Sequence, residues 1–222
     1  MELDFAARYL LMPNKLKYEK LDSSDQQLFN FCCGSGNEKE IKSLLKEYHA
    51  INMFLELIAK KNNKKPFDKE VLEAYWLGND LLKNISSDDV KTHLKDSLEK
   101  NKAEPELIKE LISAVPENIH PHHTFHILHI HSITKDKNFI YSNFNKGKVN
   151  YGKVIEINKD SLTIEKNNKR KQIHYDDKFI SNYKVGDLIS FKWDFALDVI
   201  TKKQAEQLDH YTEKHRKIME FS

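Results

Sequence analysis

The sequence predicts an α+β protein: an N-terminal all-helical bundle, then a small antiparallel β-barrel of the OB-like kind, closed by a C-terminal helix. Three observations predict it. Apolar residues recur at helical spacing from Leu3 to about Val115. At Pro116 the pattern changes to alternation in short runs separated by turn residues, and at Thr201 a capped helical pattern resumes. The chain is accordingly read as a helical domain over 1–115, a histidine-rich strand pair over 116–145 and a barrel with its terminal helix over 146–222.

In the first part Ile41, Leu44, Leu45, Tyr48, Ile51, Leu55 and Ile58 fall on one side of a single helix. It starts after Gly34-Ser35-Gly36-Asn37 and ends in the basic run Lys60 to Lys65 before Pro66, which reads as a solvated loop. A second helix is predicted from Asp68, its N-cap, to Leu82, with Val71, Leu72, Tyr75, Trp76 and Leu82 inward. Shorter helices are expected near 3–11, 24–33, 87–99 and 105–114, the last with Pro105 in its first turn.

The strand candidates are Phe125 to Ile133, Asn138 to Ser142, Lys148 to Ile157, Ser161 to Lys166, Lys171 to Tyr175 and Leu188 to Trp193. Lys135-Asp136-Lys137, Asn158-Lys159-Asp160, Asn167-Asn168 and Val185-Gly186-Asp187 supply the turns between them. Thr201-x-x-Gln204 forms a capping box for the last helix, which carries Ala205, Leu208, Tyr211, His215 and Ile218 on one side.

Of the 222 residues 39% are hydrophobic and 32% charged, with 6 Gly and 5 Pro, a composition that folds. Lys plus Arg (36) barely exceeds Asp plus Glu (34), and the net charge of +2 argues against a nucleic-acid partner. No apolar run approaches the roughly 18 to 20 residues of a membrane span, and the acidic start at Glu2 and Asp4 is unlike a signal peptide. A cytoplasmic protein without a membrane partner is expected. Cys32 and Cys33 are adjacent, which rules out a disulfide framework; one of them is expected to be buried as a small apolar residue.

Six of the 11 histidines lie in the segment His120 to His131. On a strand, residues two apart share a face at about 6 to 7 Å, so His129 and His131 would converge on one metal, with His122 upstream a further ligand and His126, on the opposite face, joining through a bend or a second sheet. Imidazole suits iron, nickel or zinc. The competing reading makes these core histidines bonded to backbone carbonyls.

Glu73, Trp76 and Asn79 flank a glycine, Gly78, read as lying inside a helix; they outline a pocket, or else a close helix contact. Arg8 in an apolar helix reads as a paired side chain or an anion clamp. Trp193, Asp194 and Phe195, where barrel meets helix, either close the core or offer a partner-binding edge.

The segments Tyr151-Gly152-Lys153-Val154-Ile155-Glu156-Ile157 and Gly186-Asp187-Leu188 through Trp193-Asp194-Phe195-Ala196, followed by a helix with Ala205-Glu206, resemble the HypC/HupF chaperones of nickel-iron hydrogenase maturation. The resemblance implies a barrel opened by Gly-Lys-Val, a Gly-Asp turn, a Phe-Ala pair and a closing helix. It also implies a cysteine five residues before the glycine and a histidine before Phe-Ala, which here are Gly147 and Lys192. Ala7-Arg8-Tyr9 with Pro13-Asn14, Glu73 through Asn79, and Pro121-His122-His123-x-Phe125-His126 extend a resemblance over the whole chain to an uncharacterised prokaryotic family with a helical domain before such a barrel.

The function expected from these readings is that of a non-catalytic accessory or assembly chaperone for a metalloenzyme. Its protein partner would be a hydrogenase large subunit or another maturation factor, and a metal would be bound by the histidine-rich strand. Two alternatives stand beside it: a metal-dependent enzyme with His129, His131 and Glu73 at its centre, and a metal-free protein-interaction module. No His-Glu-x-x-His, phosphate loop or nucleophile elbow is present.

Overall fold

The computed structural model describes residues 2–11, 23–134 and 144–220, and their side chains except those of 130–134 and 220. The described helices are α1 (Glu2–Leu10), α2 (Ser23–Cys32), α3 (Glu38–Glu47), α4 (His49–Lys61), α5 (Lys69–Trp76), α6 (Ser87–Lys100), α7 (Pro105–Ser113), α8 (His123–Thr134) and α9 (Lys202–Glu220). The strands are β1 (Asn150–Ile157), β2 (Ser161–Lys166), β3 (Lys169–His174), β4 (Leu188–Lys192) and β5 (Phe195–Ile200). Mixed α+β architecture, with helices first, a closed barrel and a terminal helix, is what the sequence predicts. None of the described helices is long and apolar enough to cross a membrane.

The strands close in the order β1-β2-β3-β5-β4, all neighbours antiparallel except the short parallel pair β3 with β5. Closure leaves no free sheet edge. Asn167 and Asn168, both at positive φ (52° and 61°), make the two-residue turn from β2 to β3, whose strand twist that turn type matches. Gly152 in β1 is required by packing: a Cβ there would stand 2.8 Å from Ile164 Cδ1 and 2.9 Å from Ile164 Cβ. The Gly186-Asp187 turn is pinned to the same strand, Gly186 N–H donating to Val154 O (2.8 Å) and Val154 N–H to Asp187 O (2.9 Å).

β5 is the strand the sequence reading lacks. Trp193 and Asp194, read as a junction leading into a helix, both adopt positive φ (49° and 62°) and form a two-residue hairpin turn. Turns of that kind usually announce themselves with Asn or Gly, and this one does not.

Two predicted helices are shorter than expected. The span read as one helix from 41 to 58 breaks at Tyr48, which leaves helical geometry (φ −79°, ψ 63°). The helix opened by Asp68 ends at Trp76: Leu77 and Gly78 both donate to Glu73 O (2.8 and 2.9 Å), with Gly78 left-handed at φ +84°. Gly78 thus terminates a helix rather than sitting inside one. A short 3-10 segment, Asp80–Asn84, follows.

The larger correction concerns the predicted histidine-rich strand pair. Phe125 to Ile133 is not a strand but part of α8. Apolar residues fall on all sides of this helix, so the sequence carries no 3.6-residue stripe to read, and the alternation of Phe125, Ile127 and His129 imitates a strand. The predicted strand 138–142 and the turn at 135–137 lie outside the described residues.

By compactness the chain forms two units, residues 1–48 with 149–205 and residues 49–148 with 206–222. The linear division at 115 and 145 marks where the sequence pattern changes; the compact units interleave along the chain.

In the first unit α1 lies on the barrel. Tyr9 Oη shares a hydrogen bond with Ser190 Oγ (2.8 Å), and Arg8 donates to Asp4 (2.8 Å) and to Leu197 O (3.4 Å) while its guanidinium stands 4.9 Å over the Phe179 ring. Arg8 is therefore a paired side chain. In the second unit Phe54, Val71, Ala74, Tyr75, Trp76 and Phe125 form the centre of the core.

Candidate functional site

The histidines gather at the start of α8. His122 N–H donates to His120 O (2.8 Å) in a turn, and His122 O accepts from His126 N (3.1 Å) as the helix begins. His126 and His129 then stand one turn apart on α8, not two residues apart on a strand. The geometry splits the histidines into two sets.

The first set is tied down. His126 Nδ1 lies 2.5 Å from Tyr75 Oη, whose burial pushes its pKa well up, so the phenol stays neutral and shares a hydrogen bond with the ring. His129 Nε2 donates to Leu111 O (2.8 Å), and burial lowers its pKa, keeping the ring neutral. His123 packs on Trp76 at 4.3 Å between ring centroids and reaches Gly147 O at 3.4 Å. His129 is thus bonded to a backbone carbonyl as the competing reading has it, while His126 is a core histidine bonded to a side-chain hydroxyl. The side chain of His131 lies outside the described residues.

The second set comprises His120, His122 and His215, the last from α9. His122 and His215 are 1% and 0% exposed. The His215 ring centroid lies 5.8 Å from that of His120 and 5.6 Å from that of His122. Tyr211, one helical turn before His215, faces both other rings at 5.5 and 5.6 Å. Phe125 flanks His215 at 6.4 Å. Nδ1 of His120, Nε2 of His122 and both nitrogens of His215 are buried without a hydrogen-bond partner among the described residues. Burial is the main cause that pushes His122 down to about 3, His120 to about 4 and His215 well below the ordinary imidazole value. Neighbouring Lys214 and His210 push His120 and His215 the same way, so the rings are neutral. Neutral imidazole is the form that ligates metals.

Among the described residues no three His, Cys, Asp or Glu side chains already form a ligand set around one point. The sequence singled out His122 of this second set but missed His215. Its only sequence signal was its place on the apolar side of the last helix, where a neutral imidazole is out of keeping.

The other candidates are not brought together as a pocket. Trp76 is buried in the core. Asn79 caps the 3-10 segment, accepting from Leu81 N (3.0 Å) and donating to Glu70 O (2.8 Å). Gly78 is held to glycine by the Tyr211 ring, whose Cδ2 would stand 2.3 Å from an added Cβ. A groove of about 650 Å³ between α6 and α7, lined by Lys95, Glu99, Ile108 and Ile112, contains none of the candidates.

In the barrel unit Lys192, at the position of the resembled family's histidine, is 2% exposed and donates to Tyr9 O (2.7 Å). Burial lowers its pKa to about 7 against the opposing pull of Asp25. It is a structural tie between β4 and α1. Cys32 is buried, and desolvation pushes its thiol far above the thiolate range, as it pushes the half-buried Cys33 upward. Phe195 belongs to the core, packing edge-on to Phe179 at 5.3 Å, whereas Trp193 and Asp194 form the half-exposed hairpin tip, Asp194 paired with Lys171 (2.5 Å).

No curated protein and no solved structure matches the chain. Residues 2–221 match one family model, and the chain belongs to that family of unknown function, DUF6390.

Proposed function

We propose that this DUF6390 protein is a non-catalytic accessory protein that docks a metalloenzyme subunit during assembly, a nickel-iron hydrogenase large subunit being the first partner to test. The observation that supports this most is where the resembling residues fall on the barrel. Gly152-Lys153-Val154 lies in β1, Gly186-Asp187 is bonded to Val154 and leads into β4, Phe195-Ala196 opens β5, and a capped helix follows. That helix has the capping box, with Thr201 N–H donating to Gln204 Oε1 (2.8 Å) and Gln204 N–H to Thr201 Oγ1 (3.2 Å). The residues thus occupy positions that build the barrel rather than scattered ones.

Cysteine and histidine chemistry has no place in this reading. Gly147 has no side chain to ligate with, and the Lys192 ammonium is engaged with Tyr9 O. Docking falls to the surface, and the Trp193-Asp194 tip is the proposed contact, with the Phe195 ring supporting it from inside. The reading as an enzyme built on His129, His131 and Glu73 has less support, since His129 Nε2 is already bonded to Leu111 O.

The test is capture of an immature hydrogenase large subunit by the full chain. Wild type and Gly147→Ala are expected to capture it equally, and Trp193→Ala to lose at least about tenfold in affinity, as expected for an aromatic anchor. Failure of the folded wild-type chain to capture the subunit would overturn the maturation role.

A further inference from the structure

We infer that His120, His122 and His215 form a binding site for one divalent transition-metal ion, zinc being the reference case. The site goes beyond the docking role and stands whether or not the barrel captures a partner.

Four buried nitrogens in one place without partners among the described residues are the first argument. Unsatisfied buried polar groups are rare in folded proteins and call for an explanation, an ion among them. Here they belong to a single residue type, the commonest metal ligand, held neutral by burial.

Spacing is the second. A zinc–nitrogen bond of about 2.0 to 2.1 Å puts each imidazole centroid roughly 3.2 Å from the metal, so two ligand rings are about 5.2 to 5.6 Å apart for bond angles near tetrahedral to trigonal. The His215 ring lies 5.6 and 5.8 Å from those of His122 and His120, at and just above that range, and because no ligand set is preformed among the described residues, His120 and His122 must turn toward each other as the ion binds. Three histidines with a fourth position left to water or another donor is a known zinc arrangement.

Support by neighbouring groups is the third argument. Tyr211 holds α9 in place by donating to Asn79 O (3.2 Å) and by pressing its ring on Gly78, and Phe125 closes the other side of His215. The tautomers follow from the partners. His120 presents Nδ1 inward, and His215 has both nitrogens free to serve. His122 accepts at Nδ1 from Thr124 N–H (3.2 Å), so its Nε2 carries the proton. Metal binding at Nε2 moves that proton to Nδ1, with no net proton release, and gives up the long Thr124 contact.

The experiment uses the full chain without a polyhistidine tag, stripped with chelator and titrated with zinc by calorimetry and with cobalt(II) by absorption. One zinc per chain is expected, together with a ligand-field cobalt spectrum. His215→Leu and His120→Gln should each weaken zinc binding by more than about 100-fold, because losing a ligand exceeds the 10- to 100-fold typical of losing the group that orients one. His126→Gln and His129→Gln should stay within about threefold of wild type, their nitrogens being used by Tyr75 and Leu111. Circular dichroism checks each variant, and should His215→Leu fail to fold, the half-exposed His120 carries the test. No stoichiometric zinc in the wild type, or zinc retained by folded His120→Gln, overturns the site.

Discussion

Among the described residues the two units differ in where their unpartnered buried polar atoms lie: in the barrel unit they are scattered, as at Trp193 Nε1, and in the other they gather in one histidine cluster. In the barrel unit Lys192 has Tyr9 O and the nearby Asp25, Ser190 has Tyr9 Oη, and Arg8 has Asp4 and Leu197 O. In the other unit His126, His129 and the half-buried His93, which donates to Met53 O (2.8 Å), are bonded, while His120, His122 and His215 together hold four nitrogens without a partner among the described residues. Each unsatisfied buried group costs about 1–3 kcal/mol, so this cluster is expensive as bare packing. Burial therefore does not separate structural residues from candidate ligands here, whereas accounting for each polar atom's partner does.

The strongest attack on the barrel side is Lys192→Met. It removes the ammonium that donates to Tyr9 O and feels the nearby Asp25 carboxylate, so a loss of about 3–5 kcal/mol is expected in urea unfolding. A loss below about 1 kcal/mol would mean that Lys192 is no tie at all.

Lys192 also sets a pH slope. Its folded pKa lies near 7, below the unfolded value near 10.4, so between these the unfolded chain binds more protons and stability rises with pH. From pH about 7 to about 9 the gain is up to about 2.5 kcal/mol; below pH about 7 the slope vanishes. Lys192→Met should flatten the curve, and an unchanged slope in that variant would assign the effect elsewhere.

Gly152→Ala tests whether the barrel tolerates crowding at its first strand. With Ile164 Cβ itself 2.9 Å from the new atom, trimming Ile164 to Val leaves the clash, so the loss of about 1–3 kcal/mol should persist in the double variant.

The smallest effects compare the two histidine sets. Tyr75→Phe removes the partner of His126 Nδ1 and should cost about 1–2 kcal/mol. His215→Leu in chelated protein removes two unsatisfied nitrogens and keeps an apolar filling, so its effect should stay within about 1 kcal/mol. A larger loss from His215→Leu than from Tyr75→Phe, measured by thermal and urea unfolding without metal, would erase the distinction between the sets.

Most elements were legible because local chemistry dictates them. Thr201 with Gln204, Asn167-Asn168 and Pro105 act over three or four residues, so the terminal helix, the β2–β3 turn and α7 could be read directly. The strand β5 was hidden because its turn opens with Trp193, a bulky residue that rarely takes positive φ. The helix α8 was hidden because its apolar residues are spread around the whole helix, and such a helix has no stripe.

By itself, then, the sequence determined the α+β class, the helical bundle ahead of a barrel, the capped last helix and the concentration of histidines between them. Only the tertiary structure decided which histidines matter. His215 is far from His120 and His122 in sequence, and no periodicity links them; packing of α9 beside the start of α8 does. Whether a buried imidazole is satisfied depends on carbonyls and hydroxyls such as Leu111 O and Tyr75 Oη supplied from elsewhere in the chain, and long-range contacts of that kind leave no local mark in a sequence.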